Sequence, residues 1–358
     1  EGTIIEPESN SIAPAVIFEN GESESAELSG FTIQNAYNDV SGGGIYINNS
    51  SANLKKLIIQ NNAAFNMGGG IYINGGRQTL INCKIYNNDV GDTNGGGLYC
   101  INSENLYINN CEFSYNHSPK NGAGMYLNNS QVIISNTRII GNNEGIGNNN
   151  PMPIPKGGGI YAYLSDIYLH NNIIRSNNSY GPGGGIFGFE SNFKIYHTEI
   201  CNNIALNPSQ AAEGGGACFL NSTILLDHIT LAYNNAPANT DGLLLRNTTA
   251  QIFNSIIYEN NGSESFTPHT ITTGANGANT VFAIDVDSDG DMDVLSSSSY
   301  DDKIAWYENN GSQAFTARTI STTADGAFDL HALDFDQDGD VDVLSSSMYD
   351  HEITMYEN

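Results

Sequence analysis

The chain has 358 residues, with 39 acidic against 12 basic side chains and a formal net charge of −27. So few cations cannot neutralise a run of phosphates, which excludes nucleic acid, and the same deficit argues against anionic membrane surfaces. No apolar run reaches the roughly 18 residues of a membrane helix, so no membrane insertion is expected, and the length leaves room for two domains.

Read in order, the chain is dominated by one returning stretch. Gly42-Gly43-Gly44-Ile45-Tyr46 recurs as Gly68-Gly69-Gly70-Ile71-Tyr72 and Gly95-Gly96-Gly97-Leu98-Tyr99, then as Gly122-Ala123-Gly124-Met125-Tyr126 and Gly157-Gly158-Gly159-Ile160-Tyr161. It continues in Gly183-Gly184-Gly185-Ile186-Phe187, Gly214-Gly215-Gly216-Ala217 and a degenerate Asp241-Gly242-Leu243. An Asn follows the last Gly of each copy at a nearly fixed interval: Asn62, Asn88, Asn116, Asn142, Asn177, Asn203, Asn234 and Asn260. Length varies between that Asn and the next glycines, where residues 143–156 and 204–213 are insertions. Stacked coils behave this way, holding strand lengths fixed and placing insertions in loops. Both insertions are therefore expected at one corner of the coil.

Three short strands are predicted per unit: after the glycines, around Leu54 and its equivalents, and before the Asn, around Ile59 and its equivalents. Apolar and polar residues roughly alternate within them, as in half-buried strands, and helical patterning is absent. Three stacked strands per unit of about 26 residues make a parallel β-helix of about nine coils, over residues 1–257. A second polar column (Lys56, Asn82, Asn110, Asn136, Asn171, His197, His228, Asn254) fits a tight corner, because Asn tolerates left-handed backbone. Cys83 and Cys111 occupy equivalent places in neighbouring units; the five cysteines, without any CxxC, read as small buried hydrophobes or as one stacked disulfide.

From residue 258 the period changes. Tyr258-Glu259-Asn260-Asn261-Gly262-Ser263 recurs at Tyr307–Ser312, and Tyr356-Glu357-Asn358 begins another copy. Residues 257–261 satisfy both repeats. Each longer unit holds an acidic loop: Asp285, Asp287, Asp289, Asp291 and Asp293 around Gly290, then Asp334, Asp336, Asp338, Asp340 and Asp342 around Gly339. Oxygen ligands at loop positions 1, 3, 5 and 9, with Gly at 6 for the turn, suit Ca²⁺. β-like runs flank the loops, so a calcium β-hairpin is expected in place of an EF-hand.

The Gly-Gly-Gly-Ile and Phe113-x-x-Asn116 pattern resembles the repeats of right-handed β-helix proteins, and in particular the polymorphic outer membrane protein repeat of chlamydial adhesins, over about residues 16–260. The Asp-x-Asp-x-Asp-Gly-Asp-x-Asp loops of residues 258–358 resemble FG-GAP/VCBS repeats, the blades of integrin-type β-propellers. That second resemblance implies side-chain ligands at positions 1, 3, 5 and 9, a backbone carbonyl at position 7, and two repeats of an incomplete propeller.

Chemistry of the lyase or glycosidase kind needs paired carboxylates or a base beside acidic or metal-bound groups. Asp and Glu are scattered in the first domain, and Asp227-His228, adjacent on a strand, are expected to point opposite ways. A binding role is thus favoured over an enzymatic one. The aromatic column Tyr46, Tyr72, Tyr99, Tyr126, Tyr161 and Phe187, widened by Tyr163 and Phe189, is expected to face outward. Tyr161, Tyr163, Phe187 and Phe189 would then offer flat surfaces to sugar rings, the alternative being that the rings stack on one another. The chain opens on Glu1 within a repeat and reads as a fragment. The reading is a monomeric bacterial protein, secreted or on the cell surface, that binds a polysaccharide or a cell-surface glycan or protein in adhesion. A carbohydrate-active enzyme fragment and a structural spacer are the alternatives.

Overall fold

A computed structural model describes residues 3–8, 11–144, 154–207, 213–236, 242–260, 270–312, 314–336 and 338–358. It has two compact units, Glu1–Glu264 and Ser265–Asn358, and only β-structure among the described residues.

The first unit is a parallel β-helix of about nine coils. The coil that begins at Gly97 is representative, with strands Leu98–Ile101, Asn105–Asn109, Glu112–Ser114 and His117–Ser118. Each strand pairs in register with its equivalent one coil away, as Tyr72 with Tyr99 and Tyr99 with Tyr126. The result is three long parallel sheets of nine, nine and ten strands. The fourth strand, made of the two residues that follow the recurring Asn, builds a further sheet of seven that the three-strand reading lacks. A two-residue strand carries too little alternation to be visible as a period.

Alternation is realised as expected. In Ile71–Asn74 the two Ile side chains are buried and the intervening residues half-buried. The inward residues stack into one continuous core from Ile33 to Leu231 that contains Phe113 and Phe193. Fully burying each such side chain stabilises by roughly 1.5–3 kcal/mol, and no coil alone could enclose them.

Left-handed backbone turns the corners. Asn82, Asn110, Asn136 and Asn171 have φ of 50–56°, and Lys56, His197 and His228 share that conformation. Two more left-handed corners occur per coil, at Asn49, Asn102 and Asn129 and at Asn61, Asn87 and Asn202. Gly42, Gly68 and Gly95 (φ 66–72°) supply a fourth. The glycines that follow are needed for space: a Cβ on Gly69 would sit 2.1 Å from the carbonyl oxygen of Asp89.

The Asn after the third strand is buried and forms a ladder. Asn116 Nδ2 donates to Ile85 O at 3.0 Å and to Asn142 Oδ1 at 2.9 Å. Asn116 Oδ1 accepts from the backbone N of Asn88 at 3.1 Å and from its Nδ2 at 3.0 Å. The same bonds link Asn62 through Asn260. The insertions leave the coil just after the fourth strands Asn143–Glu144 and Ile204–Ala205, two coils apart in one sheet. Their tips, 145–153 and 208–212, lie outside the described residues, as does Asp241 of the degenerate copy.

All five cysteines are buried free thiols. Cys83 and Cys111 stack without a disulfide, Cys111 Sγ accepting from Cys83 N at 3.4 Å. Burial pushes the Cys100 thiol up to about 12, which suits a small hydrophobe better than a nucleophile.

The second unit contains antiparallel sheets of four and three strands. Strands Ala278–Ile284, Asp293–Ser298, Lys303–Asn309 and Phe315–Ser321 form the first, and Ala327–Leu333, Asp342–Ser347 and Ile353–Tyr356 the second. Its own core holds Val286, Leu295, Ile304, Leu330 and Val343. The last strand of the β-helix is Ile256–Tyr258, and Asn260 still belongs to its ladder, so residues 258–260 sit in the first unit.

Candidate metal loops and binding faces

Each acidic loop closes an antiparallel hairpin. Ile284 pairs with Asp293 and Leu333 with Asp342, leaving 285–292 and 334–341 as the loops. Gly290 and Gly339 have φ of 95° and 105°. A Cβ there would meet nothing within 4 Å, so backbone conformation and not space requires glycine.

The loops fold back on their own carboxylates. Asp285 Oδ1 accepts from Asp289 N at 3.1 Å and its Oδ2 from Gly290 N at 3.0 Å. In the second loop Asp334 Oδ2 accepts from Gly339 N at 3.1 Å. Asp293 and Asp342 are buried (0% and 1% exposed) and tie each loop to the end of the repeat. Asp293 Oδ2 accepts from Val286 N at 3.0 Å and Oδ1 from Asn309 N at 2.7 Å. Asp342 repeats both bonds, with Phe335 N and Asn358 N at 3.0 Å each.

Carboxylate oxygens of Asp285, Asp287 and Asp293 lie within 4.8 Å of one another, as do those of Asp334, Asp336 and Asp338. Asp289 and Asp342 belong to neither triplet. Asp289 Oδ1 caps Asp291 N at 2.9 Å, and Asp338 Oδ1 caps Asp340 N at 3.1 Å. The side chains of Asp291 and Asp340 join neither triplet. Desolvation, then the neighbouring charge of Asp289, pushes the Asp287 carboxyl above its ordinary range; desolvation and Asp338 do the same to Asp336. Among the described residues, the ion pairs of this unit, Lys303–Asp301 and Arg318–Glu308, lie outside the loops. An all-oxygen set of crowded carboxylates fits a hard divalent cation. Asp285, Asp287, Asp293, Asp334, Asp336 and Asp338 are the residues placed to hold one.

The aromatic column is placed as the register requires, but its rings are used on one another. Tyr46, Tyr72, Tyr99, Tyr126, Tyr161 and Phe187 stack in sequence with centroids 4.7–5.6 Å apart and planes within 13°. Tyr99 is 6% exposed and Phe187 only 1%, with Lys156 Nζ over its ring at 5.0 Å. Tyr163 and Phe189 form a parallel stack at 5.5 Å. In-register coils bring identical residues to strand spacing, where stacking among rings wins over exposure. Burial accordingly raises the Tyr99 and Tyr126 hydroxyls above the ordinary phenol range. Each stacked pair contributes about 0.5–1.5 kcal/mol. Tyr126→Ala, with two stacked neighbours, is therefore expected to lower β-helix stability by about 1–3 kcal/mol, read by chemical denaturation; no change would deny the stack a structural role.

The structure corrects the reading of Asp227 and His228. They do not point apart: His228 Nδ1 lies 2.8 Å from Asp227 Oδ1. His228 sits at a left-handed corner (φ 51°), beyond the alternation of strand Thr223–Asp227, so both side chains emerge on the outside. Asn254 Nδ2 donates to the same Asp227 oxygen at 3.1 Å, and with His228 it lowers that carboxyl. The His228 ring stacks on His197 at 4.8 Å, and His197 meets His170 edge-on at 5.4 Å.

A feature that sequence reasoning missed is a cleft of about 880 Å³ on the outer face of the second sheet. It runs from Asn105 past Gln131, Tyr168 and Lys194 to Gln251. The outward columns of the second strands carry the signal: Ile133, Tyr168, Lys194, Leu225 and Gln251 stand in one register. Their residue types vary from coil to coil, so no repeat singles them out.

Comparison with known proteins agrees with both architectures. The model of the right-handed β-helix region matches residues 15–181, and that of the FG-GAP-like repeat matches residues 250–296 and 285–345. No curated protein and no solved structure matches the chain. No described helix is long and apolar enough to cross a membrane, which leaves β-barrels aside. With nine parallel coils followed by antiparallel repeats that carry the acidic hairpins, this chain is a right-handed β-helix joined to FG-GAP-like repeats.

Proposed function

We propose that this chain is a secreted or cell-surface binding protein of bacterial type, in which the β-helix engages a glycan in adhesion and Ca²⁺ stabilises the C-terminal repeats. The observation that carries this reading is the pair of equivalent acidic hairpins, each with three carboxylates converging within 4.8 Å. Calcium is millimolar outside cells, where modules with dissociation constants of about 10⁻⁴–10⁻³ M are filled, so such loops suit an extracellular setting. The β-helix supplies long outer faces, one of them recessed and lined by both apolar and polar residues.

A second reading, a carbohydrate-active enzyme, is favoured by the Asp227–His228 contact at 2.8 Å. A carboxylate that orients an imidazole is one way to build a general base. One experiment separates the two. The protein is incubated with a panel of soluble polysaccharides in millimolar calcium, and both the bound material and its chain length are measured. Retention of intact polysaccharide is the expected result. Shortened chains that disappear with Asp227→Asn would establish the enzyme instead, and no retention of any glycan would leave the adhesive reading without support.

A further inference from the structure

We propose that the outer face of the second sheet, across five coils, is the glycan site, and that its ligand is a neutral linear polysaccharide lying along the stack. This rests on the glycan-binding reading above and moves it from the stacked Tyr column to a different face.

The site is built by register. Strands Gln131–Ser135, Asp166–His170, Asn192–Tyr196, Thr223–Asp227 and Thr249–Phe253 pair consecutively. Inward residues Ile134, Leu169, Ile195 and Leu226 are buried in the core, so their outward neighbours are fixed on a rigid floor. Five strands at about 4.8 Å spacing make a floor about 19 Å long. The cleft volume of about 880 Å³ lies within the range of ligand sites and is elongated along the stack.

Its chemistry has two parallel tracks. One runs Ile133, Tyr168, Lys194, Leu225, Gln251; Ile133 and Tyr168 are exposed, and together with Leu225 they give an apolar floor. The other runs Gln131, Asp166, Asn192, Thr223, Thr249, a line of amides, hydroxyls and one carboxylate. A sugar ring presents an apolar C–H face and a rim of hydroxyls, so it needs both tracks at once. Tyr168 leans on Tyr196 at 5.4 Å but stays 38% exposed, which leaves ring surface for the face, while amides, which both donate and accept, satisfy the rim.

Charge selects among polysaccharides. The net charge of the chain is −27, yet the cleft holds one acid and one base. Asp166 Oδ1 already accepts from Asn192 Nδ2 at 2.7 Å. A polyanion would meet a single ammonium on a strongly negative protein, and a polycation would be drawn to the acidic hairpins. A neutral chain is not penalised. A peptide strand is disfavoured because the backbone groups of this sheet are already paired between coils, leaving no edge here for strand addition.

The test is affinity electrophoresis of the whole chain in gels containing soluble mixed-linkage β-glucan, galactomannan or polygalacturonate. Variants are Tyr168→Ala, Gln251→Ala and, as a control on another face, Tyr126→Ala, with thermal melts confirming that each folds. The expected result is retardation by at least one neutral glycan, weakened about tenfold by Tyr168→Ala and also reduced by Gln251→Ala, with the control unaffected. Retardation unchanged in both cleft variants would overturn this location while leaving glycan binding standing. Retardation by polygalacturonate alone would overturn the neutral ligand. Absence of retardation by every glycan would overturn the location and the adhesive reading together.

Discussion

Chelating calcium is expected to loosen residues 265–358 while the coils before them stay folded. Each unit has its own core, and that of the second is small: eight buried residues among those described, three of them alanines. Against it stand the ten aspartates of the two acidic hairpins. Their crowding has a direction. Asp287 and Asp336 are pushed upward by desolvation and by neighbouring carboxylates, so their folded pKa values lie above the unfolded ones. A carboxyl shifted that way favours the fold when protonated and weakens it as pH rises through its folded pKa. At neutral pH both loops are therefore self-repelling without a cation. A bound cation reverses the sign, and each site gains about 0.4–1.4 kcal/mol when calcium lies between one and ten times its dissociation constant. Hydrogen exchange in calcium and in EDTA would resolve the two units; indifference of the C-terminal amides to EDTA would sink the idea.

Substitutions divide the acidic loop into two roles. Asp287→Asn with Asp336→Asn keeps the shape and removes charge, so the calcium-dependent gain should vanish while the EDTA-treated protein is no less stable. Asp293→Ala should harm the fold in calcium and in EDTA alike. Its carboxylate is fully buried, and both oxygens accept backbone N–H groups, from Val286 and Asn309. Leaving those donors unpaired costs about 1–3 kcal/mol each.

Much of this was legible in the sequence because stacking repeats every constraint. The inward Ile and Leu, the Gly triplets and the corner Asn each recur at one place per coil, so a single error of register would show in several copies at once. The acidic loops were legible for a different reason: glycine at position 6 and carboxylates at alternate positions specify a turn and a donor set together. The residues that emerged only in three dimensions do not repeat. Tyr168 and Lys194 differ at equivalent places, and their shared cleft depends on which coils lie side by side. Asp227 and His228 were misread because alternation was extended one residue past its strand, into a left-handed corner. The aromatic column was placed on the right strand, but its exposure followed from ring-to-ring distance, which spacing along the chain does not give.

The same position-by-position logic makes Asn116 the most sensitive polar residue to test in the β-helix. Asn116→Ala is expected to lower its stability by about 3–6 kcal/mol, from several buried partners at about 1–3 kcal/mol each. Ile85 O loses a donor, Asn88 N and Asn88 Nδ2 lose an acceptor, and Asn142 Oδ1 loses a donor. Bulk water does not reach them, since Asn88, Asn116 and Asn142 are all 0% exposed. Asn116→Asp keeps the shape and both acceptor bonds but cannot donate to Ile85 O or Asn142 Oδ1, and it places a charge in the core, so it should be no milder. Asn110 is the control. It lies in the same coil at an outer corner, exposed, with φ of 51° and one side-chain bond to Asn82 Oδ1 at 2.6 Å. Asn110→Ala should cost only about 1–2 kcal/mol, mostly for left-handed backbone. Because each coil contacts only its neighbours, the damage at Asn116 should be local, with exchange fastest in the coils of Asn88, Asn116 and Asn142. Equal costs at Asn110 and Asn116 would mean that the ladder is held by its corners and not by its buried amides.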